Sequence, residues 1–575
     1  MYELSGERQR LVRSAARVGG GRRELTLVAI GFGALTVLQA APLALHLGSV
    51  ARLDNADARM LIWNVAWVAR TLIVDPLRVF DANIFHPHRW TLAYSETNLG
   101  AGVLAIPVYW ATGNPYAAHN FVVLLSFVLS GTSAYYLVRY LTGDRRAAAV
   151  SAICFAYTPY AFSHLPHVHL LMTAGLPLCM LAFHRAADRP TPWRGAVLGL
   201  AVGGQALFSG YYAIFGALMV TFAVITVAAT RRRWTDRRYW TAMVLGGIVA
   251  NAIALLLFLP YARLQREAGF RRPLEEARLW SAGWRSYLAS SAYAHRWLLP
   301  IIGQWREVLF PGFVAVVCGA AGLRVGWKAG RGPREIAILY GGLAAFALFA
   351  SLGPDGGLYS LLYHTVPAFN LTHAPSRFGL IVALSLSVLS GVAIAALLAR
   401  VRRADSAAAR GSGLRPGRAS AVAALIAVAA VAELKVPLSF SPVPPVPMAY
   451  RVLATLPRGP VIELPFYSWQ FASARTVYML NSTAHWMPLV NGYASYTPPE
   501  FIEKTPVLAG FPSHEAFELL ARDRVRYAVY HLDQFSPAAR EDVLERLRQY
   551  GRYLTRRYGD DSIRLYEIVE YPPAR

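Results

Sequence analysis

Long apolar runs recur along the chain and are separated by polar loops. The first run extends from Leu25 to Leu47, and ten more follow after residue 110. A helix rises about 1.5 Å per residue, so about 20 apolar residues cross the roughly 30 Å hydrocarbon layer of a bilayer. The pattern predicts an α-helical polytopic membrane protein with about 11 transmembrane helices. The later crossings are predicted at 117–141, 147–162, 168–185, 194–209, 211–230, 240–262, 307–327, 335–352, 377–400 and 419–438.

The composition agrees with a membrane protein. Hydrophobic residues make up 55% of the chain and charged residues 16%, and the second figure is well below the roughly 25% of soluble domains. The net charge of +24 lies in the membrane portion, because residues 442–575 hold 15 Lys and Arg against 14 Asp and Glu. These charges alternate with apolar runs instead of covering one face, so no nucleic acid is predicted as a partner.

Arginines are concentrated in the N-terminal segment and in alternate short loops. Residues 1–24 contain six of them. The positive-inside rule therefore predicts a cytoplasmic N-terminus, a membrane module over residues 25–440 and an extracytoplasmic C-terminus in a multi-pass protein of the inner membrane. Gly100–Thr112 is apolar but too short to span, and counting it as a crossing would put the basic loops outside. We expect it to be interfacial or re-entrant.

Residues 441–575 form the last long polar region. They begin with the proline-rich linker Ser441–Pro447, which is expected to be stiff. Strands and helices are predicted to alternate beyond it, which indicates a small extracytoplasmic α/β domain. The predicted strands are Pro460–Phe466, Val525–His531 and Ser562–Ile568, and the predicted helices are Pro512–Asp523 and Pro537–Tyr550, the second capped by Ser536.

Sequence motifs of common cofactor sites are absent. The sequence contains no P-loop, no G-x-G-x-x-G after a strand, no H-E-x-x-H and no C-x-x-C. No required cofactor is predicted, and the need for a divalent metal stays open because no ligand cluster stands out. Any chemistry is expected in the outer loops, above all in the first one, residues 48–98.

The first outer loop contains a predicted amphipathic helix that begins near Asp57. Trp63 and Trp67 lie four residues apart on it, a spacing suited to the water–lipid boundary. A carboxylate near a helix N-terminus is kept ionised by the helix dipole, and a general base must be ionised. Asp57 is therefore a candidate base. The alternative is that Asp54 or Asp57 is only the helix N-cap.

A second acid, Glu96, lies directly before the apolar segment that does not span. It is either a functional acid or an ordinary solvated loop residue. His86 and His88 flank a proline upstream of it. They are candidates for polar contacts with a substrate, and they lack the neighbouring acid or cysteine that would complete a metal site.

Polar residues also gather at the outer ends of later crossings. His167 and His169 lie at one outer turn and Tyr211 and Tyr212 at the next, where they could line a cavity or only pack within the bundle. His373 and Arg377 precede the tenth crossing. An arginine on the outer side runs against the local charge rule, so it either binds an anion such as phosphate or reaches lipid headgroups.

The order of these features resembles the C-type superfamily of polytopic glycosyltransferases. The matching features are Asp57 with Trp63, the loop Asn83–Pro87, Glu96 and the short segment 100–112. The resemblance covers roughly residues 25–400. Within that superfamily, the chain most closely resembles a group of poorly characterised bacterial membrane proteins. The stretches that carry this match are Phe155–Tyr160, His167–Leu171 and Ser482–Tyr493.

The resemblance implies an inverting enzyme that takes a sugar from a polyprenyl-phosphate donor on the outer membrane face. Asp57 would be the base, with Asp54 as the other acid available, and Glu96 would hold the acceptor or tune the base. Arg377 with His373 would contact the phosphate, and the outer-turn residues would line the cavity. The acceptor would be an envelope glycan, lipid or protein, selected by the C-terminal domain.

Two other functions fit the same architecture. One is a flippase or transporter of lipid-linked sugars, although such proteins often show internal repeats and polar residues inside several helices. The other is a different envelope-polysaccharide assembly protein, such as a polymerase or an acyltransferase. The sequence shows no repeat and its ionisable residues gather at outer helix ends, which favours an enzyme of the outer face.

Overall fold

A computed structural model of the chain describes residues 21–269, 272–366, 369–412 and 417–573. The first 20 residues of the predicted cytoplasmic segment 1–24 lie outside the described residues. The chain divides into two compact units. We call residues 1–45, 123–257 and 271–438 the helical unit, and residues 46–122, 258–270 and 439–575 the mixed unit. The predicted domain boundary at residue 441 stays a prediction, and the compact units group the first outer loop with the C-terminal residues.

The helical unit is built from α-helices joined by short loops. Two long helices, Pro115–Thr142 and Arg237–Ala268, have residues in both units. The other helices of this unit are Arg22–Gln39, Ala41–Leu45, Arg145–Ala156, Pro159–Ser163, Val168–Leu171, Gly175–Asp188, Pro192–Gly204, Gly210–Thr230, Leu274–Leu279, Leu299–Ile302, Phe313–Lys328, Arg331–Ser351, Leu358–Thr365, Gly379–Ser412 and Arg418–Glu433.

Six helical stretches among the described residues are long and apolar enough to cross a membrane, and the chain is a multi-pass membrane protein. They are Pro115–Thr142, Val168–Asp188, Gly210–Thr230, Arg237–Arg266, Arg331–Ser351 and Pro375–Ser406. Each overlaps one of the predicted crossings. The other five predicted crossings contain helices of 12 to 18 residues. The total of 11 crossings therefore stays a prediction.

Small residues allow close helix packing in the helical unit. A Cβ atom added at Gly322 would lie 1.8 Å from the main-chain oxygen of Leu389, so the backbones of Phe313–Lys328 and Gly379–Ser412 approach closely there. The hydroxyl oxygens of Ser151 and Ser387 lie 3.2 Å apart, within hydrogen-bond distance. These contacts join three helices without a large side chain between them.

The mixed unit combines helices with two small sheets. In the first sheet, β1 (Val50–Ala51) pairs antiparallel with β2 (Ser441–Pro442). The second has the order β3-β4-β6-β5, with β3 (Val461–Leu464) parallel to β4 (Tyr527–His531) and the others antiparallel. The remaining strands are β5 (Leu554–Gly559) and β6 (Ile563–Ile568). The helices are Ala56–Val74, Leu99–Thr112, Met448–Thr455, Arg475–Asn481, Pro499–Ala509, His514–Arg522 and Pro537–Gln549.

The predicted strands and helices of residues 441–575 are found at their expected places. Ser536 caps the helix after it by accepting a hydrogen bond from the main-chain N–H of Ala539, as predicted. Strand β5 and the helices Met448–Thr455, Arg475–Asn481 and Pro499–Ala509 were not predicted. Whether this region lies outside the membrane stays a prediction.

Helix Leu99–Thr112 packs on helix Ala56–Val74, which we call the first-loop helix. Gly102 allows the close approach, because a Cβ atom there would lie 2.2 Å from a methyl carbon of Val68. The indole N–H of Trp110 donates to the main-chain oxygen of Ala69 at 3.1 Å. With 14 residues the helix is about 21 Å long, so it is a shorter apolar helix and not one of the six candidate spans.

Candidate functional site

The first-loop helix begins with Asn55 as its N-cap. The Asn55 side chain accepts a hydrogen bond of 2.7 Å from the main-chain N–H of Asp57. Asp57 itself lies in the first turn, half-buried. The interpretation of Asp54 or Asp57 as the N-cap is therefore wrong: an asparagine satisfies the free N–H, and the carboxylate of Asp57 is left for other contacts.

Asp54 is engaged by a neighbouring arginine. Two nitrogens of Arg52 donate to its two carboxylate oxygens at 3.0 Å, and the Asp54 side chain is 62% exposed. Hydrogen bonding to Arg52 holds the pKa of Asp54 below its usual range. Of the two acids at the start of the loop, Asp54 is thus an exposed member of an ion pair.

The carboxylate of Asp57 contacts the C-terminal part of the mixed unit. The hydroxyl of Tyr493 donates to Asp57 Oδ1 at 3.2 Å. Burial and the Asp57 carboxylate together raise the pKa of Tyr493 to about 12, so this hydroxyl stays protonated at neutral pH. Arg59, two residues further along the helix, donates to the hydroxyl of Thr476 at 2.9 Å. The chain segment around Asp57 is therefore held by residues more than 400 positions away.

Glu96 is placed along the same face of the first-loop helix as Asp57. The preceding Ser95 contacts the sulfur of Met60 at 4.0 Å, and the amide of Asn64 donates to the main-chain oxygen of Glu96 at 3.2 Å. Met60 and Asn64 follow Asp57 by three and seven residues, so they share its helix face. The main chain of Glu96 thus lies about two turns, roughly 10 Å, along the helix from Asp57.

The two tryptophans of the first-loop helix are core residues of the mixed unit. Trp63 is 2% exposed and donates to the Asn83 side chain at 3.0 Å, and Trp67 is 7% exposed and donates to the main-chain oxygen of Val79 at 2.9 Å. The predicted position of these indoles at the water–lipid boundary is therefore wrong. Their spacing reflects packing against residues 79–83.

His86 and His88 are not brought to the two acids. His86 contacts the main-chain oxygen of Asp523 at 2.9 Å through Nε2. Burial lowers the pKa of His88, which keeps that ring neutral at neutral pH. Both line a cleft beside Trp67 and Arg70, near the other end of the first-loop helix. Their predicted contact with a substrate near Asp57 has no support in this placement.

A second group of predicted residues gathers in the helical unit around Arg377. Its guanidinium carbon lies 4.0 Å from the ring centroid of Tyr211, and its Nη1 is buried without a hydrogen-bond partner among the described residues. The main-chain N–H of His373 donates to the Tyr211 hydroxyl at 3.1 Å, and the hydroxyl lies 2.5 Å from His373 Nδ1. Burial and two nearby arginines lower the pKa of His373 to about 3, so its ring is neutral at neutral pH.

Further predicted residues adjoin this group. The rings of His167 and His169 lie 6.1 Å apart, and the positive charge of Arg377 acts on His169. Tyr212 is fully buried and donates to the main-chain oxygen of Leu170 at 2.9 Å, which indicates a packing role for that hydroxyl. The structure therefore brings Arg377, His373 and Tyr211 into contact.

Several residues at these two groups were missed by sequence reasoning. Tyr493 ends the stretch Ser482–Tyr493, which carries part of the resemblance but was not connected with Asp57. Asn491 and Trp486 from the same stretch are buried. The charge of Glu307 acts on Arg377, and the sequence around Glu307 did not indicate a functional residue.

The described residues contain no cluster of three or more His, Cys, Asp or Glu side chains that could hold a metal ion. The chemistry that the two groups can supply by themselves is that of an ionised carboxylate on a helix N-terminus and of an arginine held over an aromatic ring. The first can accept a proton, and the second can bind an anion.

Comparisons with known proteins bear on the predicted superfamily. Residues 108–260 match the family model described as dolichyl-phosphate-mannose-protein mannosyltransferase. A search of the curated proteins gives no match.

Among solved structures, the arabinofuranosyltransferase AftD from Mycobacteria is similar with a TM-score of 0.56 at 13% identity, over 96% of this chain and 40% of that one. ArnT from Cupriavidus metallidurans, solved with undecaprenyl phosphate, matches with a TM-score of 0.46 at 14% identity, over 97% of this chain and 100% of that one.

The match to AftD shows the fold, and the chain spans about 40% of the length of that protein. The family model covers about a quarter of the chain, including the candidate spans Pro115–Thr142, Val168–Asp188 and Gly210–Thr230. The resemblance to the C-type superfamily is thereby confirmed, and the class of protein that the family model and this fold support is a membrane glycosyltransferase.

Proposed function

We propose that the chain transfers a sugar from a polyprenyl-phosphate donor to a hydroxyl of an envelope acceptor on the extracytoplasmic face, with Asp57 as the general base. The observation that carries the proposal is the environment of Asp57. This carboxylate is half-buried in the first turn of a helix, its N-cap role is taken by Asn55, and it accepts a hydrogen bond from Tyr493.

The helix N-terminus and the Tyr493 hydroxyl both favour the ionised carboxylate, which is the form that accepts a proton. In the proposed reaction, the acceptor hydroxyl gives its proton to Asp57 and its oxygen bonds to the sugar carbon. The bond from that carbon to the phosphate oxygen breaks, and polyprenyl phosphate leaves from the opposite side. The configuration at the sugar carbon is therefore inverted.

Glu96 is proposed to hold the acceptor. Its main chain lies along the Asp57 face of the first-loop helix, about two turns from Asp57. A second carboxylate nearby would also disfavour full ionisation of both, so the two acids would titrate as a coupled pair.

Arg377 is proposed to bind the donor phosphate. Support comes from its Nη1, which is buried and has no hydrogen-bond partner among the described residues, and from the ring of Tyr211 that fixes the guanidinium plane. An arginine held in this way keeps donors available for an incoming anion and binds phosphate with a defined geometry. His373 and His169, both beside Arg377, are proposed to contact the same headgroup.

The test is transfer from labelled polyprenyl-phosphate sugars by purified protein, comparing Asp57→Asn with Asp54→Asn. Each change removes one negative charge, and the two positions are only three residues apart in the sequence. Only Asp57→Asn removes the proposed base. Loss of at least about a hundredfold in kcat for Asp57→Asn, with Asp54→Asn close to the natural protein, is expected. Full transfer by Asp57→Asn would refute the base assignment. Donor binding without any transfer would favour the flippase function.

A further inference from the structure

A separate cleft lies within the mixed unit, beside the C-terminal half of the first-loop helix. Its volume is about 530 Å³, and its charged lining residues are Arg70, Arg78, Arg89, Arg458, Asp75 and Asp81. There are two more arginines than carboxylates, and the lowered pKa of His88 means that this lining histidine is neutral. The cleft is therefore positively charged.

Two of the arginines are neutralised within the cleft wall. Arg89 pairs with Asp81 at 2.9 Å, and Arg78 lies 3.7 Å from Asp75. The remaining two, Arg70 and Arg458, form no ion pair with any carboxylate in the part of the chain that the structure describes. The excess positive charge of the cleft is thus located on these two side chains.

Arg70 and Arg458 are both held by Trp486. The guanidinium carbon of Arg70 lies 5.6 Å from the centroid of the Trp486 ring, and Arg458 Nη2 donates to the main-chain oxygen of Trp486 at 2.7 Å. Arg70 is half-buried, and the charge of Arg458 acts on it. Two like charges that act on each other repel, so an anion bound by both arginines would be stabilised by both.

The cleft is distinct from the Asp57 group. Arg70 follows Asp57 by 13 residues on one continuous helix, which separates the two by about 20 Å along the helix axis. Asn55, Tyr493 and Asn64, which form the hydrogen bonds described above with Asp57 and Glu96, do not line the cleft. Whatever binds there is therefore not the sugar carbon that reacts at Asp57.

The rim of the cleft is apolar and exposed. Val74, which lines it, is 53% exposed, and the adjacent Ile73 and Leu77 are 55% and 95% exposed. Aliphatic side chains exposed to this degree next to a basic cleft suit a ligand that joins an anionic group to a hydrocarbon chain. A soluble anion would gain nothing from these residues.

We propose that this cleft binds the phosphate headgroup of an anionic phospholipid. Arg70 and Arg458 donate to the phosphate oxygens, and the acyl chains pass over Ile73, Val74 and Leu77. The proposal uses no residue assigned to sugar transfer, so its test is independent of the test of the proposed function.

The experiment is native mass spectrometry of the purified full chain titrated with phosphatidylglycerol or with phosphatidylcholine of the same acyl chains. The variants are Arg70→Gln and Arg458→Gln. The matched control is Arg548→Gln, which removes a 72% exposed arginine of the same unit that pairs with Glu545 away from the cleft. Glycerol 1-phosphate is titrated as the soluble headgroup.

Tighter binding of the first phosphatidylglycerol than of phosphatidylcholine is expected, weakened at least about fivefold by either cleft variant and less than twofold by Arg548→Gln. Equal binding of the two lipids, or phosphatidylglycerol binding unchanged in both cleft variants, would overturn the proposal. Glycerol 1-phosphate binding as tightly as the lipid would overturn the lipid as the source of the phosphate. If Arg70→Gln fails to fold, the exposed Arg458 decides the outcome.

Discussion

The contact between Tyr493 and Asp57 leads to a sharp prediction for the variant Tyr493→Phe. The change removes one hydroxyl and keeps the ring, so the packing of the segment around residue 493 is retained. The lost hydroxyl donates to the ionised carboxylate of Asp57 at 3.2 Å. Without it, the ionised carboxylate of Asp57 is less stable relative to its protonated form. As the pH falls, Asp57 therefore becomes protonated, and stops acting as a base, at a higher pH than in the natural protein.

The size of the effect follows from the geometry. A hydrogen bond to a charged group contributes about 1.5–3 kcal/mol, but this one, at 3.2 Å, is longer than is usual for O–H donors, and the carboxylate is only half-buried. A contribution of about 1 kcal/mol is therefore appropriate. Since one pH unit corresponds to about 1.36 kcal/mol, the acid midpoint of the rate profile should rise by about 0.7 pH unit.

The assay is the pH dependence of kcat for sugar transfer, measured from labelled polyprenyl-phosphate sugars between about pH 4 and 9. The plateau rate should change little, because Tyr493 stays protonated and is assigned no proton transfer. Tyr553→Phe is the matched control: Tyr553 is in the same unit and packs against Phe517, away from Asp57.

Two results would refute this reasoning. An unchanged acid midpoint in Tyr493→Phe, with activity abolished in Asp57→Asn, would mean that the hydroxyl does not act on the base. A shift in the opposite direction would mean that Tyr493 disfavours the ionised carboxylate. A fall in the plateau rate without a shift would instead assign Tyr493 to substrate contact.

Three further predictions test the neighbouring groups. Arg377→Lys should raise KM for the donor about tenfold in transfer kinetics, because lysine keeps the charge but loses the planar stack on Tyr211; an unchanged KM would exclude the phosphate contact. Asp54→Asn should change the free energy of unfolding by less than about 1 kcal/mol in thermal denaturation, since its ion pair is exposed, and a larger loss would contradict that view. Asn491→Ala should cost about 2–4 kcal/mol in the same measurement, because two buried hydrogen bonds to the main chain of Glu463 are lost, whereas the exposed Gln549→Ala should cost little.

Local sequence patterns predicted the elements that depend on local interactions. Strands β3, β4 and β6 were predicted from the sequence, and Ser536 was correctly assigned as an N-cap because its partner lies three residues away. Strand β5 was missed since its residues are mostly exposed and include two adjacent arginines. Strand β5 is formed by its antiparallel pairing with β6, although its own sequence does not indicate a strand.

The start of the first-loop helix shows where local reasoning fails. Asparagine and aspartate are about equally good N-caps, so residue type does not separate Asn55 from Asp54 and Asp57, and the prediction named only the two aspartates. Likewise, tryptophans at i and i+4 fit a membrane boundary and a packed core equally well. Only Asn83 and Val79, whose positions the fold determines, decide for the core.

The pairings at the two candidate groups depend on contacts between distant parts of the sequence. Tyr493 follows Asp57 by 436 residues, and His373 follows Tyr211 by 162. Each residue type was unremarkable in its local context, since tyrosines are common at membrane boundaries and in sheets. A single sequence carries no information about such pairs, so the sequence indicated the acids and the arginine but not their partners.

The C-terminal residues belong to the same compact unit as the first outer loop. They were expected to form a separate domain that selects the acceptor, yet their side chains complete the environment of the first outer loop. Thr476 accepts a hydrogen bond from Arg59, Tyr493 donates one to Asp57, and Ser482 accepts one from the Asn83 amide at 3.1 Å. Removing residues 441–575 would leave these groups and the buried Trp63 without their cover. The first outer loop and the C-terminal region therefore lie in one compact unit, and a change made in the C-terminal region to alter acceptor preference would also act on the proposed base.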